Sequence, residues 1–212
     1  MAKIKTATRT LSNAGRLRLL VAVASPKAIG EMPAESLVEY DGLIELLADP
    51  DIVSAQVQPE TIKLYVNGLQ RTYTPDVRFV RRDGRIGYRE FKHSKHDLDE
   101  DLKVKLDAAR AALEADGYEF EVRDANDIRR GYRIDNLRLL KRYASWPTSK
   151  EFQRRVWEFV GGAADMCLQD VRDFVGGDKY GSLYRMLWEQ QLRAELVGAP
   201  LCAATAISRG EL

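Results

Sequence analysis

The chain has 212 residues, 45% hydrophobic and 31% charged, with a formal net charge of +1. That profile fits a globular chain of one domain or one and a half. Cys167 and Cys202 lie far apart without metal-ligand spacing, and no apolar run approaches the ~18 residues of a membrane span. A cytoplasmic protein with buried thiols and no membrane contact is expected.

Residues 1–30 contain Lys3, Lys5, Arg9, Arg16, Arg18 and Lys27 and no acid. A basic arm of this kind lies along nucleic-acid phosphates, with Arg9, Arg16 and Arg18 as the DNA-binding candidates. The plainer alternative is a solvated terminus. The apolar run at 19–24 is too short for a signal-peptide core and reads as a strand.

Residues 31–48 read as a helix with Pro33 in its first turn. Leu37, Tyr40, Leu43, Ile44, Leu46 and Leu47 form a broad apolar arc, with Asp41 and Glu45 opposite, in water. Glu39 falls inside the arc, where an acid needs a partner or a metal, unless it snorkels out at the arc's edge.

Residues 52–58 and 61–66 read as strands, with Asn67-Gly68 as a hairpin turn. A second hairpin spans 73–92. A three-residue Arg82-Asp83-Gly84 loop, with Gly84 left-handed, would pair Asp76 directly with Glu90. Glu90 and Lys92 share one face of their strand. Two carboxylates and an ammonium on one patch of sheet suit Mg²⁺ or Mn²⁺ binding and phosphodiester hydrolysis. A surface ion-pair ladder is the alternative. His93 and His96, without further ligands, read as solvent-facing or phosphate contacts rather than a zinc pair.

Residues 101–116 form an amphipathic helix through Leu102, Leu106, Ala109 and Leu113, stopped by Gly117. A strand at 118–122, a short turn capped by Asp124 and a helix at 134–143 complete an α/β domain, a mixed sheet flanked by helices. After Trp146-Pro147 the pattern changes. Thr148 and Glu151 read as a capping box, opening a helix with Phe152, Val156, Trp157 and Val160 on one stripe. Helices near 165–175 and 180–196 and a small hairpin within 197–207 follow. The set resembles a winged helix; a helical cap with no partner is the alternative.

Glu39, Thr74-Pro75-Asp76 and Glu90-Phe91-Lys92 match the PD-(D/E)xK nuclease pattern. With Gln58-Pro59 and the segment from Asp124 to Arg129 in the same order, residues 9–143 resemble TnsA-type transposon endonucleases. The resemblance implies a restriction-endonuclease-like fold at 31–145, behind the basic arm at 1–30. It also implies a winged-helix-like domain at 146–212. The implied activity is Mg²⁺- or Mn²⁺-dependent cleavage of double-stranded DNA at transposon 5′ ends, beside a partner transposase and an ATP-binding regulator. Carried over residue by residue, Glu39, Asp76, Glu90 and Phe91 would be metal ligands and Lys92 the catalytic lysine. Gln58 would be an accessory residue of unassigned role. Some TnsA proteins have glutamine where this chain has Glu90. That departure leaves open a phage or repair nuclease of the same core, or a DNA-binding adaptor that keeps the fold.

Overall fold

The computed structural model describes residues 21–162 and 165–211, so Arg9, Arg16 and Arg18 lie outside the described residues. The chain divides into two compact units, one ending at Ile128 and the other beginning at Arg129. The helix expected at 134–143 therefore groups with the C-terminal unit. No helix among the described residues is long and apolar enough to cross a membrane.

The first unit opens with a short antiparallel pair, β1 (Val21–Ala22) and β2 (Pro33–Ala34). Pro33 thus lies in a strand rather than in a helical first turn. Helix α1 begins later and spans Leu37–Ala48, because Ser36 is its N-cap: Ser36 Oγ accepts from Glu39 N at 3.2 Å. Val38, Leu43, Ile44, Leu46, Leu47 and Ala48 are buried, each larger side chain contributing about 2 kcal/mol of transfer free energy. Leu37 is exposed instead. Asp41 and Glu45, expected in water, are buried at 0% and 6% exposure. For Glu45 the reason is distant in sequence: Arg123 Nη2 donates to its Oε1 at 2.7 Å, and Arg89 Nη1 lies 3.6 Å from its Oε2. A buried carboxylate survives when cations meet it. Lys27, counted in the basic arm, caps the C-terminal end of α1 by donating to the Leu47 and Asp49 carbonyls at 2.9 and 2.6 Å.

The main sheet runs β3 (Ile52–Val57), β6 (Val77–Arg81), β7 (Ile86–Lys92), β8 (Glu119–Asp124) in space. The β7–β8 pair is parallel and the others antiparallel. Helix α2 (Glu100–Ala115) makes the crossover that a parallel pair requires. The two helices cover opposite faces. Leu106, Ala109 and Leu113 of α2 pack with Tyr88 and Phe120, while α1 approaches the face that carries Phe91. A Cβ on Gly42 would stand 2.2 Å from the Phe91 ring, so that approach requires glycine. Between β3 and β6, β4 (Ile62–Val66) and β5 (Leu69–Tyr73) form a separate two-stranded ribbon, turning at Asn67 and Gly68 with φ 51° and 77°. Helix α3 (Ala125–Ile128) follows β8, and Asp124 Oδ1 accepts from Asp127 N at 3.0 Å, the short capped turn that was expected. The unit is mixed α/β, a mixed sheet flanked by helices.

The second unit contains α4 (Arg133–Lys141), α5 (Lys150–Gly161), α6 (Leu168–Val175) and α7 (Tyr180–Trp188). Strands β9 (Met166–Cys167), β10 (Leu192–Ala194) and β11 (Ala206–Arg209) form an antiparallel sheet in the order β10-β11-β9. Ser149, not Thr148, caps α5, accepting from Phe152 N at 3.2 Å. Helix α7 stops at Trp188, so Leu192 lies in a strand rather than on the helix. Buried Asn136 ties the 196–201 segment to α4. It donates to the Leu196 and Ala199 carbonyls at 2.8 and 2.9 Å and accepts from Leu201 N at 2.7 Å.

Candidate active site

The 73–92 segment places the chemistry. Val80 faces Ile86 and Val77 faces Arg89. Extending that register by one residue sets Asp76 opposite Glu90. The loop is the expected one: Arg81 N donates to the Arg85 carbonyl at 2.8 Å, and Gly84 has φ 88°. Had the loop been one residue shorter, every side chain of β7 would have changed face.

Asp76 is half-buried. Its Oδ2 accepts from Phe91 N at 2.7 Å, fixing the carboxylate at the strand end. Glu90 is buried, and both its oxygens are engaged: Lys92 Nζ at 2.5 Å on Oε1 and the Tyr73 hydroxyl at 2.6 Å on Oε2. Burial, and then the Glu90 charge, push the Asp76 carboxyl up to about 7; Phe91 N–H and Lys92 pull it back and Glu39 adds to the rise. Burial is the largest of these causes, so the raised value reflects a desolvated carboxyl with a second carboxylate, Glu90, beside it. Burial, followed by the same Glu90 charge, pushes the Tyr73 phenol well above its ordinary range, so it remains a neutral donor.

Glu39 stands near enough to act on Asp76 electrostatically, yet its carboxylate is turned to its own helix. Its Oε2 accepts from Glu35 N at 2.7 Å and its Oε1 from Ser36 Oγ at 3.1 Å. It thus closes on the first turn of α1, bonded to the N-cap hydroxyl and to the backbone N–H just before it. Among the described residues no group of three or more His, Cys, Asp or Glu is placed to hold a metal ion together. The structure brings Asp76, Glu90 and Lys92 together and leaves the Glu39 carboxylate facing elsewhere. The Phe91 ring is buried against α1, and its backbone meets Asp76 as an N–H donor.

Gln58 is held beside the site by backbone. Its N–H donates to the Asp76 carbonyl at 2.8 Å, its φ is 44°, and its side chain reaches Glu35 Oε1 at 3.2 Å. A non-glycine residue at positive φ next to a candidate site is a mark of local strain. His93 and His96 are exposed. Tyr73 was not among the site residues expected from sequence. Its role as a Glu90 donor comes from β5, which ends there with the ring turned into the core. The alternation of the hairpin carried no signal for it.

No family model matches the chain, and no curated protein matches it in sequence.

Proposed function

We propose that the chain is a metal-dependent DNA endonuclease of the PD-(D/E)xK type, acting as a TnsA-like subunit beside a transposase and an ATP-binding regulator. The observation that carries this reading is the cross-strand meeting of Asp76 and Glu90 with Lys92 attached to the pair. Two carboxylates side by side offer the hard oxygen ligands that Mg²⁺ or Mn²⁺ takes. Asp76 and Glu90 would hold the ion, each oxygen having a second lone pair beyond its present hydrogen bond. A bound ion supplies charge stabilisation at phosphorus and an acidified water. Lys92, already at the site, would release Glu90 and place its ammonium against the attacking water or the charged phosphate. Tyr73 keeps Glu90 oriented throughout. On this reading the first unit is restriction-endonuclease-like and the second winged-helix-like, and the protein works in the cytoplasm on double-stranded DNA.

A second reading rests on Glu39. Its carboxylate caps α1 instead of joining Asp76, which favours a DNA-binding adaptor that keeps the nuclease scaffold. Nicking of supercoiled plasmid with Mg²⁺ or Mn²⁺ separates the two readings, with any transposase encoded beside the gene included. Wild type should nick, and Lys92→Ala should keep its fold and fail to nick, losing ~10²–10⁴-fold in rate. Equal nicking by both proteins would mean either that Lys92 takes no part in the chemistry or that the cutting belongs to the partner.

A further inference from the structure

The ribbon β4–β5 makes no ladder with the main sheet, and only one of its faces is used. Leu64 and Tyr73 are buried in the core with Tyr88 and Phe120, and Ile62 and Val66 pack against them. The other face carries Lys63 paired with Thr72 and Tyr65 paired with Gln70, and all of these are exposed, Tyr65 at 71%. Residues 61–75 contain Lys63 and Arg71 and no acid, in a chain with 32 Asp and Glu. An outward face built of a cation, an aromatic ring, an amide and a hydroxyl is equipped for phosphates and base edges, not for an apolar partner.

Position adds the second half. The ribbon ends at Tyr73, which donates to Glu90, and Asp76 follows after Thr74 and Pro75. From Tyr73 to the Leu69 end, strand rise gives about 14 Å, equal to about four base-pair steps. A two-stranded ribbon fits the major groove of B-form DNA.

The geometry points to β4–β5 as a groove-docking arm of the nuclease unit: its Lys63/Tyr65/Gln70/Thr72 face enters the major groove of the duplex within about four base pairs of the cut. Gln70 offers a donor and an acceptor to base edges, Tyr65 an apolar body with a polar tip, and Lys63 a phosphate contact. This rests on the nuclease reading, and the test keeps the two apart.

Fluorescence anisotropy with a random-sequence DNA duplex, in chelator and at low salt, compares the full chain with the triple variant Lys63→Ala/Tyr65→Ala/Gln70→Ala. Every substituted side chain is exposed, so the fold should persist; matching circular dichroism melts verify it. The variant should bind about tenfold more weakly, with a log–log salt slope smaller by about 1. Dimethyl sulfate probing adds a groove-specific readout at guanine N7, which wild type should protect and the variant should not. Equal affinity and equal N7 protection in the two proteins would overturn the docking arm while leaving the nuclease reading intact. If wild type itself binds no duplex, both fall together.

Discussion

Replacing Asp76 with asparagine should make the protein more stable at neutral pH. The isostere can still accept the Phe91 N–H bond, 2.7 Å in the wild type, so the change removes charge and little else. Burial and Glu90 hold the Asp76 carboxyl at about 7 in the folded protein, against 3.8 as its ordinary value. Between those pH values the native state keeps a proton that the unfolded chain has released. Unfolding then releases a proton, and stability falls as pH rises from about 4 to about 7. The cost is absent below that window and complete above it. At about 1.4 kcal/mol per pH unit the ceiling is about 4 kcal/mol; partial exposure and screening bring the expectation to about 1–2 kcal/mol. Urea unfolding of wild type and Asp76→Asn, without metal, at pH values from 4 to 8 measures it. The stability difference should grow through the window and then level off. Parallel curves, or an asparagine variant less stable at pH 8 than at pH 4 relative to wild type, would refute the reasoning.

Other residues give independent tests. Gly42→Ala should lose about 1–3 kcal/mol of stability, read by thermal melts, because the new Cβ meets the buried Phe91 ring at 2.2 Å. Asn136→Ala should destabilise the second unit by about 2–4 kcal/mol, leaving the Leu196 and Ala199 carbonyls and Leu201 N without their partner; urea unfolding followed through the tryptophans reports it. Tyr73→Phe should cost about 1–3 kcal/mol in urea unfolding and weaken Mn²⁺ binding, because Glu90 Oε2 loses the donor that orients it.

The hairpin that carries the site was legible because its determinants are local. Asp83-Gly84 sets the turn, the turn sets the register, and the register alone puts Asp76 opposite Glu90. The same holds for Asn67-Gly68 and for the stop of α2 at Gly117. What escaped sequence reading depended on partners far along the chain. Glu45 looked like a solvent residue because Arg89 and Arg123, which meet it, come from β7 and β8. Glu39 was marked as an acid in need of a partner or a metal; its partners are the Glu35 N–H and the Ser36 hydroxyl, close by in sequence. The Ser36-to-Glu39 capping spacing was in the sequence, but starting the helix at residue 31, with Pro33 in its first turn, hid it. In the second unit the hairpin expected within 197–207 overlaps β11 alone, whose partner β10 lies earlier, and β9 and β10, of 2 and 3 residues, were missed. Such lengths are too short for alternation to show.

On the proposed reading Asp76 and Glu90 hold a catalytic divalent ion, and Lys92 serves the chemistry rather than the ion. Isothermal titration of Mn²⁺ into wild type, Asp76→Asn and Lys92→Ala tests it directly. Wild type and Lys92→Ala should bind one ion with similar affinity, and Asp76→Asn should bind weakly or not at all. Undiminished binding by Asp76→Asn, or no binding by wild type, would contradict the account.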